Sequence, residues 1–228
     1  SITTGVNNVI MGGLAGDALT TGAYNIAIGY QALSTEDTGS TSIGIGYYAL
    51  QAQNNAANNY NIGIGHSAGA AISTGIQNTL IGGLAGDALT TGSYNQAFGY
   101  NALGAETGAS RSTAIGYFAL AVQNVGSGEA NNVAIGHAAG LSITSGLYNT
   151  IVGSSALSTN VDGDNNTAIG YLALQDFEAD ADGGGHNTAV GSSSQLNAST
   201  GEYNTSLGSQ SMGVGVVTGD ANVAIGNE

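Results

Sequence analysis

The stretch Asn25-Ile26-Ala27-Ile28-Gly29-Tyr30-Gln31-Ala32-Leu33 returns along the whole chain, and that recurrence limits the possible folds more than any other feature. It reads Asn95-Gln96-Ala97-Phe98-Gly99-Tyr100-Asn101-Ala102-Leu103, then Asn166-Thr167-Ala168-Ile169-Gly170-Tyr171-Leu172-Ala173-Leu174, and ends as Asn222-Val223-Ala224-Ile225-Gly226. Indexed by the glycine after the aliphatic residue, the copies fall at Gly12, Gly29, Gly46, Gly65, Gly82, Gly99, Gly116, Gly136, Gly153, Gly170, Gly191, Gly208 and Gly226. That makes 13 copies with a basic step of 17 residues, lengthened after Gly46, Gly116 and Gly170 and by one residue after Gly208. A period of this size is the mark of a stacked-coil architecture, and it organises residues 1–228 as one repetitive array.

A longer repeat overlies the short one. Leu14-Ala15-Gly16-Asp17-Ala18-Leu19-Thr20-Thr21-Gly22 recurs unchanged as Leu84 through Gly92, four copies later. His66 and His137 recur in the same way. Between Gly116 and Gly170 one copy of the four is missing, and loss of a whole unit is what a stack of equivalent coils tolerates.

The triplets Thr-Ala-Ile and Val-Ala-Ile alternate in size and favour β-branched residues, so they read as short strands. A glycine every few residues leaves no 3.6-residue apolar stripe, which argues against helix. Ten copies carry a glycine three residues before the Asn or Ser that opens the strand, such as Gly22, Gly75 and Gly146, which suits a positive-φ turn. Each copy then reads as strand, bend, second strand and turn. The expected fold is all-β: a parallel β-solenoid, or flattened β-roll, of about 13 coils. At ~4.8 Å per coil it would extend roughly 60 Å.

The expected core column is the apolar residue before each glycine: Met11, Ile28, Ile45, Ile64, Ile81, Phe98, Ile115, Ile135, Val152, Ile169, Val190, Leu207 and Ile225. A second column, three residues after the glycine, is Ala in ten copies and becomes Ser194 and Ser211 later. Its small side chains would leave one face open to close approach, so the roll is expected to bury that face against copies of itself.

Charge sets the partners. The chain has 15 acidic residues against one basic residue, Arg111, for a formal charge of -14. Nucleic acid binding needs many Lys or Arg to neutralise phosphates, so it is excluded, and anionic membrane surfaces are disfavoured. No apolar run is long enough to span a bilayer, so no membrane insertion is expected. There is no Cys and no Lys, so no Cys-His pair exists. No Ser-His-Asp set is evident, and the carboxylates form no spaced pair fixed by the repeat. The expectation is a protein that is not an enzyme and needs no cofactor.

Three features are candidate sites. Asp176, Glu178, Asp180 and Asp182, near Asp162 and Asp164, form the densest acidic patch and are weak candidates for calcium, whose ligands are oxygens. A solvated loop is the plainer reading of that insertion, and His186 after it has no evident role. His66 and His137 share a repeat position but stand about four coils apart, roughly 19 Å at 4.8 Å per coil, too far to share a metal within one chain. Tyrosines fill two columns, Tyr30, Tyr47, Tyr100, Tyr117 and Tyr171 after the glycine, and Tyr24, Tyr60, Tyr94, Tyr148 and Tyr203 before the Asn. They read as structural ladders or as a surface for sugars. Thr20-Thr21 and Thr90-Thr91 lie at turns, so they do not make the flat threonine array that an ice-binding face requires.

These units resemble repeats of phage tail fibres and related bacterial surface fibres, and the head repeat of trimeric autotransporter adhesins, with its Ser/Asn-x-Ala-Ile-Gly-x-x-Ala core. The resemblance covers all 13 copies, although the adhesin repeat is shorter. It implies a left-handed roll assembled as a homotrimer and an extracellular setting, on a virion appendage or a cell surface. The implied function is a structural fibre segment, such as a tail-fibre shaft, that contacts host-surface glycans. The alternatives are a trimeric adhesin head or a self-assembling cell-surface filament. The chain opens and closes part-way through a coil with no cap, so a filament joined head to tail, or a longer parent fibre, is also expected from the sequence.

Overall fold

The computed structural model describes residues 2–179 and 184–227. It is all-β: every described copy of the repeat contributes one three-residue strand, and no helix occurs among the described residues. The chain divides into two compact units, Ser1–Arg111 with Gly126–Gly128, and Ser112–Val125 with Glu129–Glu228. Unit 1 carries β1 (Val9–Met11), β2 (Ile26–Ile28), β3 (Ile43–Ile45), β4 (Ile62–Ile64), β5 (Thr79–Ile81) and β6 (Gln96–Phe98). Unit 2 carries β7 (Thr113–Ile115), β8 (Val133–Ile135), β9 (Thr150–Val152), β10 (Thr167–Ile169), β11 (Thr188–Val190), β12 (Thr205–Leu207) and β13 (Val223–Ile225). Within each unit, strands pair in parallel and in sequence order, so the thirteen coils form a parallel β-solenoid with a period of about 17 residues, as the repeat predicts. The register equals the repeat: Ile26, Ala27 and Ile28 lie beside Ile43, Gly44 and Ile45.

Among the described residues the expected second strand does not form. Beyond the strand, the coil is built from turns whose corners take left-handed backbone. Three sites per coil do so, at the positions of Tyr24 (φ 59°), Gln31 (φ 53°) and Leu33 (φ 51°), and they recur with other residues in almost every coil. Each such residue costs about 1–2 kcal/mol. Bonds between coils all round the arc offset the strain, as in Gln31 N–H to Gly13 O (3.0 Å), Leu33 N–H to Ala49 O (3.0 Å) and Thr20 N–H to Asp37 O (2.9 Å). The glycine that opens the turn was expected to carry the positive φ. The structure moves that role two residues on, to the Tyr24 column. Gly22 is instead required because a Cβ there would lie 2.2 Å from Gly39 O of the next coil. The glycine ending each strand is required on both counts: Gly82 adopts φ +138°, and a Cβ there would lie 2.3 Å from Gly99 O.

The core is the reverse of the expected one. The middle residue of each strand points inward: Ala27, Ala97, Ala114, Ala134, Ala168 and Ala189 are at most 1% exposed. The expected core column, Met11 through Ile225, points outward. Ile115, Ile135 and Ile169 keep 37–39% of their surface exposed despite neighbours on both sides. The alanine column, expected to be open, is also internal, with Ala32, Ala49, Ala102 and Ala173 at 0%. The large core side chains come from the turn arc, from Leu33, Leu50, Leu103, Leu120, Leu157 and Leu174.

Packing inside is complementary from coil to coil. Where the strand centre is glycine, leucine from the preceding coil fills the space: a Cβ on Gly44 would meet Leu33 Cγ at 3.1 Å, and one on Gly63 would meet Leu50 Cγ at 2.8 Å. Where the centre is large, the turn arc gives way. Leu80 sits against Gly69 and Gly86, and Ile151 against Gly140. A narrow coil has room for about one large side chain at this level, and the repeat supplies it from one side or the other.

The inversion follows from Asn25 and its counterparts. Period-two alternation puts Asn25 on the same face as Ala27, so one parity carries a polar residue inside. The stack makes this favourable. Asn25 N–H donates to Asn8 Oδ1 (2.8 Å), Asn25 Oδ1 accepts Ser42 N–H (2.9 Å), and Asn25 Nδ2 donates to Gly39 O (2.9 Å). The same ladder runs through Asn61, Asn78 and Asn95 in unit 1 and through Asn132, Asn149, Asn166, Asn187 and Asn204 in unit 2. A buried amide with all its groups bonded carries little penalty.

Two coils replace the Asn by serine, and both supply a buried glutamine instead. Gln53 Nε2 reaches Ser42 Oγ (2.9 Å) while its Oε1 accepts from Asn61 (2.9 Å); Gln123 does the same for Ser112 (3.0 Å) and Asn132 (2.9 Å). Two carboxylates are buried beside these turns. Glu36 accepts from Gly39 N–H (2.7 Å), Gln53 (2.9 Å) and Asn59 (3.1 Å), and Glu106 accepts from the backbone of Thr107, Gly108 and Ala109. They are 70 residues apart, one long repeat, so the repeat does fix a pair of carboxylates, contrary to the sequence reading. Their hydrogen bonds make them structural.

Candidate interaction face

The outward side of every strand presents two files of side chains. In unit 1 the first is Val9, Ile26, Ile43, Ile62, Thr79 and Gln96, and the second is Met11, Ile28, Ile45, Ile64, Ile81 and Phe98. In unit 2 the first is Thr113, Val133, Thr150, Thr167, Thr188, Thr205 and Val223, and the second is Ile115, Ile135, Val152, Ile169, Val190, Leu207 and Ile225. Parallel in-register pairing sets each file along the stack at one strand separation, ~4.8 Å. The Tyr24 column stands at the corner before the strand. The Tyr30 column stands past the corner made by Gly29.

None of the four columns, in any of the thirteen coils, contains an Asp or Glu. On a chain with 15 carboxylates, this is a face from which the excess charge has been kept away. Glu36 and Glu106 are buried, and Asp164, Glu202 and Asp220 stand one residue before the Tyr24 column. Charge depletion together with exposed aliphatic and aromatic side chains is the composition of a surface that becomes dry on association.

The tyrosine columns stack, as the sequence leads one to expect of identical coils. Tyr30 lies on Tyr47 (5.5 Å between centroids, 19° between planes), and Tyr47 lies on His66 (5.2 Å, 8°). In unit 2, Tyr117 lies on His137 (5.6 Å, 3°) and His186 on Tyr203 (4.8 Å, 5°). The three histidines are thus rungs of aromatic ladders. Arg111 takes a place in the Tyr24 column, with its guanidinium 6.0 Å from the Tyr94 ring centre. A side-chain hydrogen bond shared with Tyr47 favours the neutral form and raises the Tyr48 phenol above its ordinary value.

Among the described residues the acidic candidates do not come together as a metal site. Asp180 and Asp182 lie outside the described residues. Asp164 Oδ1 accepts Leu147 N–H (2.7 Å), so that carboxylate holds a neighbouring coil. Glu178 is pushed up, first by burial and then by the charge of Asp162. Asp176 is exposed. Among the described residues no group of three or more His, Asp or Glu side chains could hold a metal ion, and no helix is long and apolar enough to cross a membrane.

No family model, curated protein or solved structure matches this chain. The functional reading therefore stands on the face itself. Sequence reasoning found its residues but put the second file inside. The signal that could have corrected it is the recurring parity of Asn and small residues, together with the absence of acids from the alternate positions.

Proposed function

We propose that this chain is a structural fibre segment that associates with copies of itself through the carboxylate-free strand face. The observation that supports this is the outward apolar file that each unit carries, on a chain of net charge -14. Two such chains repel everywhere except where no acid is present, so a second copy is the occupant best suited to that face. Burying the remaining third of an isoleucine contributes about 0.5–1 kcal/mol. Thirteen such side chains give roughly 10 kcal/mol per chain, comparable to the 4–15 kcal/mol cost of association, so the first file must contribute too.

The assembly proposed is a homotrimer, in keeping with the tail-fibre and adhesin-head repeats that the sequence resembles. The setting proposed is extracellular, as a virion appendage shaft or on a cell surface, and the role is structural rather than catalytic. Sedimentation of the chain with Ile28→Asp and Ile45→Asp tests it. Wild type should sediment as an oligomer and the variant as a folded monomer. A wild-type monomer at micromolar concentration defeats the proposal. Micrographs of rods that lengthen with concentration would shift it towards the filament alternative.

A further inference from the structure

The aromatic ladder past the Gly29 corner is interrupted at one place in each unit, in the same surroundings. In unit 1 the column runs Gly13, Tyr30, Tyr47, His66, Gly83, Tyr100. In unit 2 it runs Tyr117, His137, Ser154, Tyr171, Ser192, Ser209, Asn227, so only Gly83 and Ser154 have a ring on both sides. Each interruption is a single coil without a ring, preceded by histidine and followed by tyrosine.

At Gly83 the space is measurable. A Cβ there would contact only Tyr100, at 3.4 Å from Cδ2 and 3.8 Å from Cε2. Tyr30 stands over Gly13 at the same two distances while also stacking on Tyr47, so Tyr100 keeps the ordinary pose of a rung. The rings either side of Gly83 therefore stand two coil steps apart, about 10 Å at ~4.8 Å per step. That leaves room for one flat ring, at the spacing of 5.2–5.6 Å that neighbouring rungs already keep. The surrounding rings are accessible: Tyr47, Tyr100, Tyr117 and Tyr171 are 43–58% exposed.

The chemistry narrows the ligand. The walls are ring faces, the rims carry phenol hydroxyls and imidazole nitrogens, and a serine stands in the next column, Ser67 beside the His66 wall and Ser155 beside Ser154 itself. A pyranose offers an apolar face to each wall and hydroxyls at its edge. Acidic sugars are disfavoured by a chain of net charge -14 with one basic residue. We propose that the missing rungs at Gly83 and Ser154 are binding slots for neutral pyranose rings, each clasped between a histidine and a tyrosine. This rests on the fibre reading above and gives its surface contact a location.

The test uses the ladder's own logic. Tyrosine occupies this position in five other coils, so Gly83→Tyr with Ser154→Tyr completes the ladder without disturbing the coil. Saturation-transfer NMR with maltose, cellobiose and lactose as probes should show transfer to at least one disaccharide in the wild type. The double variant should lose most of it, a drop of at least fivefold. No transfer to any of the three in the wild type, or equal transfer in the variant, overturns the proposal. Sedimentation of the same samples separates the two claims: an oligomer without transfer removes the slots alone, and a monomer removes the fibre reading on its own account.

Discussion

Ahead of the buried strand centre, unit 1 places Val9, Ile26, Ile43 and Ile62 before Thr79 and Gln96, whereas unit 2 places Thr113, Thr150, Thr167, Thr188 and Thr205 with Val133 and Val223. The centres themselves do not diverge in this way: they are alanine or glycine, or a larger residue met by a glycine, in most coils of both units. An outward residue answers only to its two neighbours in the file and to whatever covers the face. An inward one answers to the Asn ladder, the leucine arc and the adjacent coils together. Drift in the first file is therefore cheap for the fold and decisive for association. A threonine hydroxyl buried without a partner costs about 1–3 kcal/mol, so in the self-association proposed above the outward file of unit 1 is expected to contribute more than that of unit 2.

The comparison is tested most severely where the units are claimed to be alike. Ala97 in unit 1 and Ala168 in unit 2 are both fully buried at the strand centre. Ala97→Asp and Ala168→Asp each bury a charge with no partner, at roughly 3–5 kcal/mol, a large share of a domain's stability. Both should melt far below wild type by circular dichroism. If one substitution is tolerated, the two interiors are not equivalent.

Next in size is the ladder. Asn78 in unit 1 bonds Asn95 N–H and Gly92 O, each at 2.9 Å, and Asn149 in unit 2 bonds Asn166 N–H and Gly163 O, also at 2.9 Å. Asn78→Ala and Asn149→Ala each orphan two buried backbone groups. Each should cost about 2–5 kcal/mol in denaturant titrations, with the two values close to one another. A loss near zero would mean that water replaces the amide and the ladder is ornamental.

The outer faces should then separate. Asp at both Ile26 and Ile43 removes apolar area from unit 1 and brings charge onto the acid-free face. Asp at both Thr167 and Thr188 brings the same charge but removes less apolar area. Neither pair should lower strand content. The first should weaken self-association about 100-fold and the second about tenfold, read as dissociation constants from sedimentation equilibrium. Equal effects would place the contact elsewhere than on the aliphatic files.

How much of this was legible beforehand depends on which part of the residue pattern was asked. Thirteen in-register copies announce parallel stacked coils, and they pair as the spacing requires. Which parity lies inside was not legible from Ile28 alone, because hydrophobicity favours burying the isoleucine and exposing the asparagine. Only a stack offers Asn25 a donor and acceptors one coil away, so the deciding interactions lie between copies and not within one. The turn arc was misread for a related reason. Left-handed backbone at Tyr24 and Leu33 contradicts local preference, and the bonds that sustain it come from the neighbouring coil. The interaction face was visible in composition, as columns free of acid, but it acquires meaning only when those columns are known to point out.

The smallest effect concerns a carboxylate that unit 2 lacks. Asp87 stands five residues after Gly82, and the matching place after Gly153 is Ser158. Burial raises the Asp87 carboxyl above its ordinary 3.8, partly countered by hydrogen bonds from its own and the Ala88 backbone N–H. The folded chain thus holds this proton more tightly than the unfolded one. Stability from this group is greatest below pH 3.8, where both states are protonated, and it declines as pH rises through the raised folded value. At pH 7 the ionised carboxylate is a net burden. Asp87→Asn should therefore melt slightly higher than wild type at pH 7, and the advantage should fade as pH approaches 3.8. An advantage that persists below that pH would come from packing instead of charge, and Asp87 would no longer mark an electrostatic difference between the units.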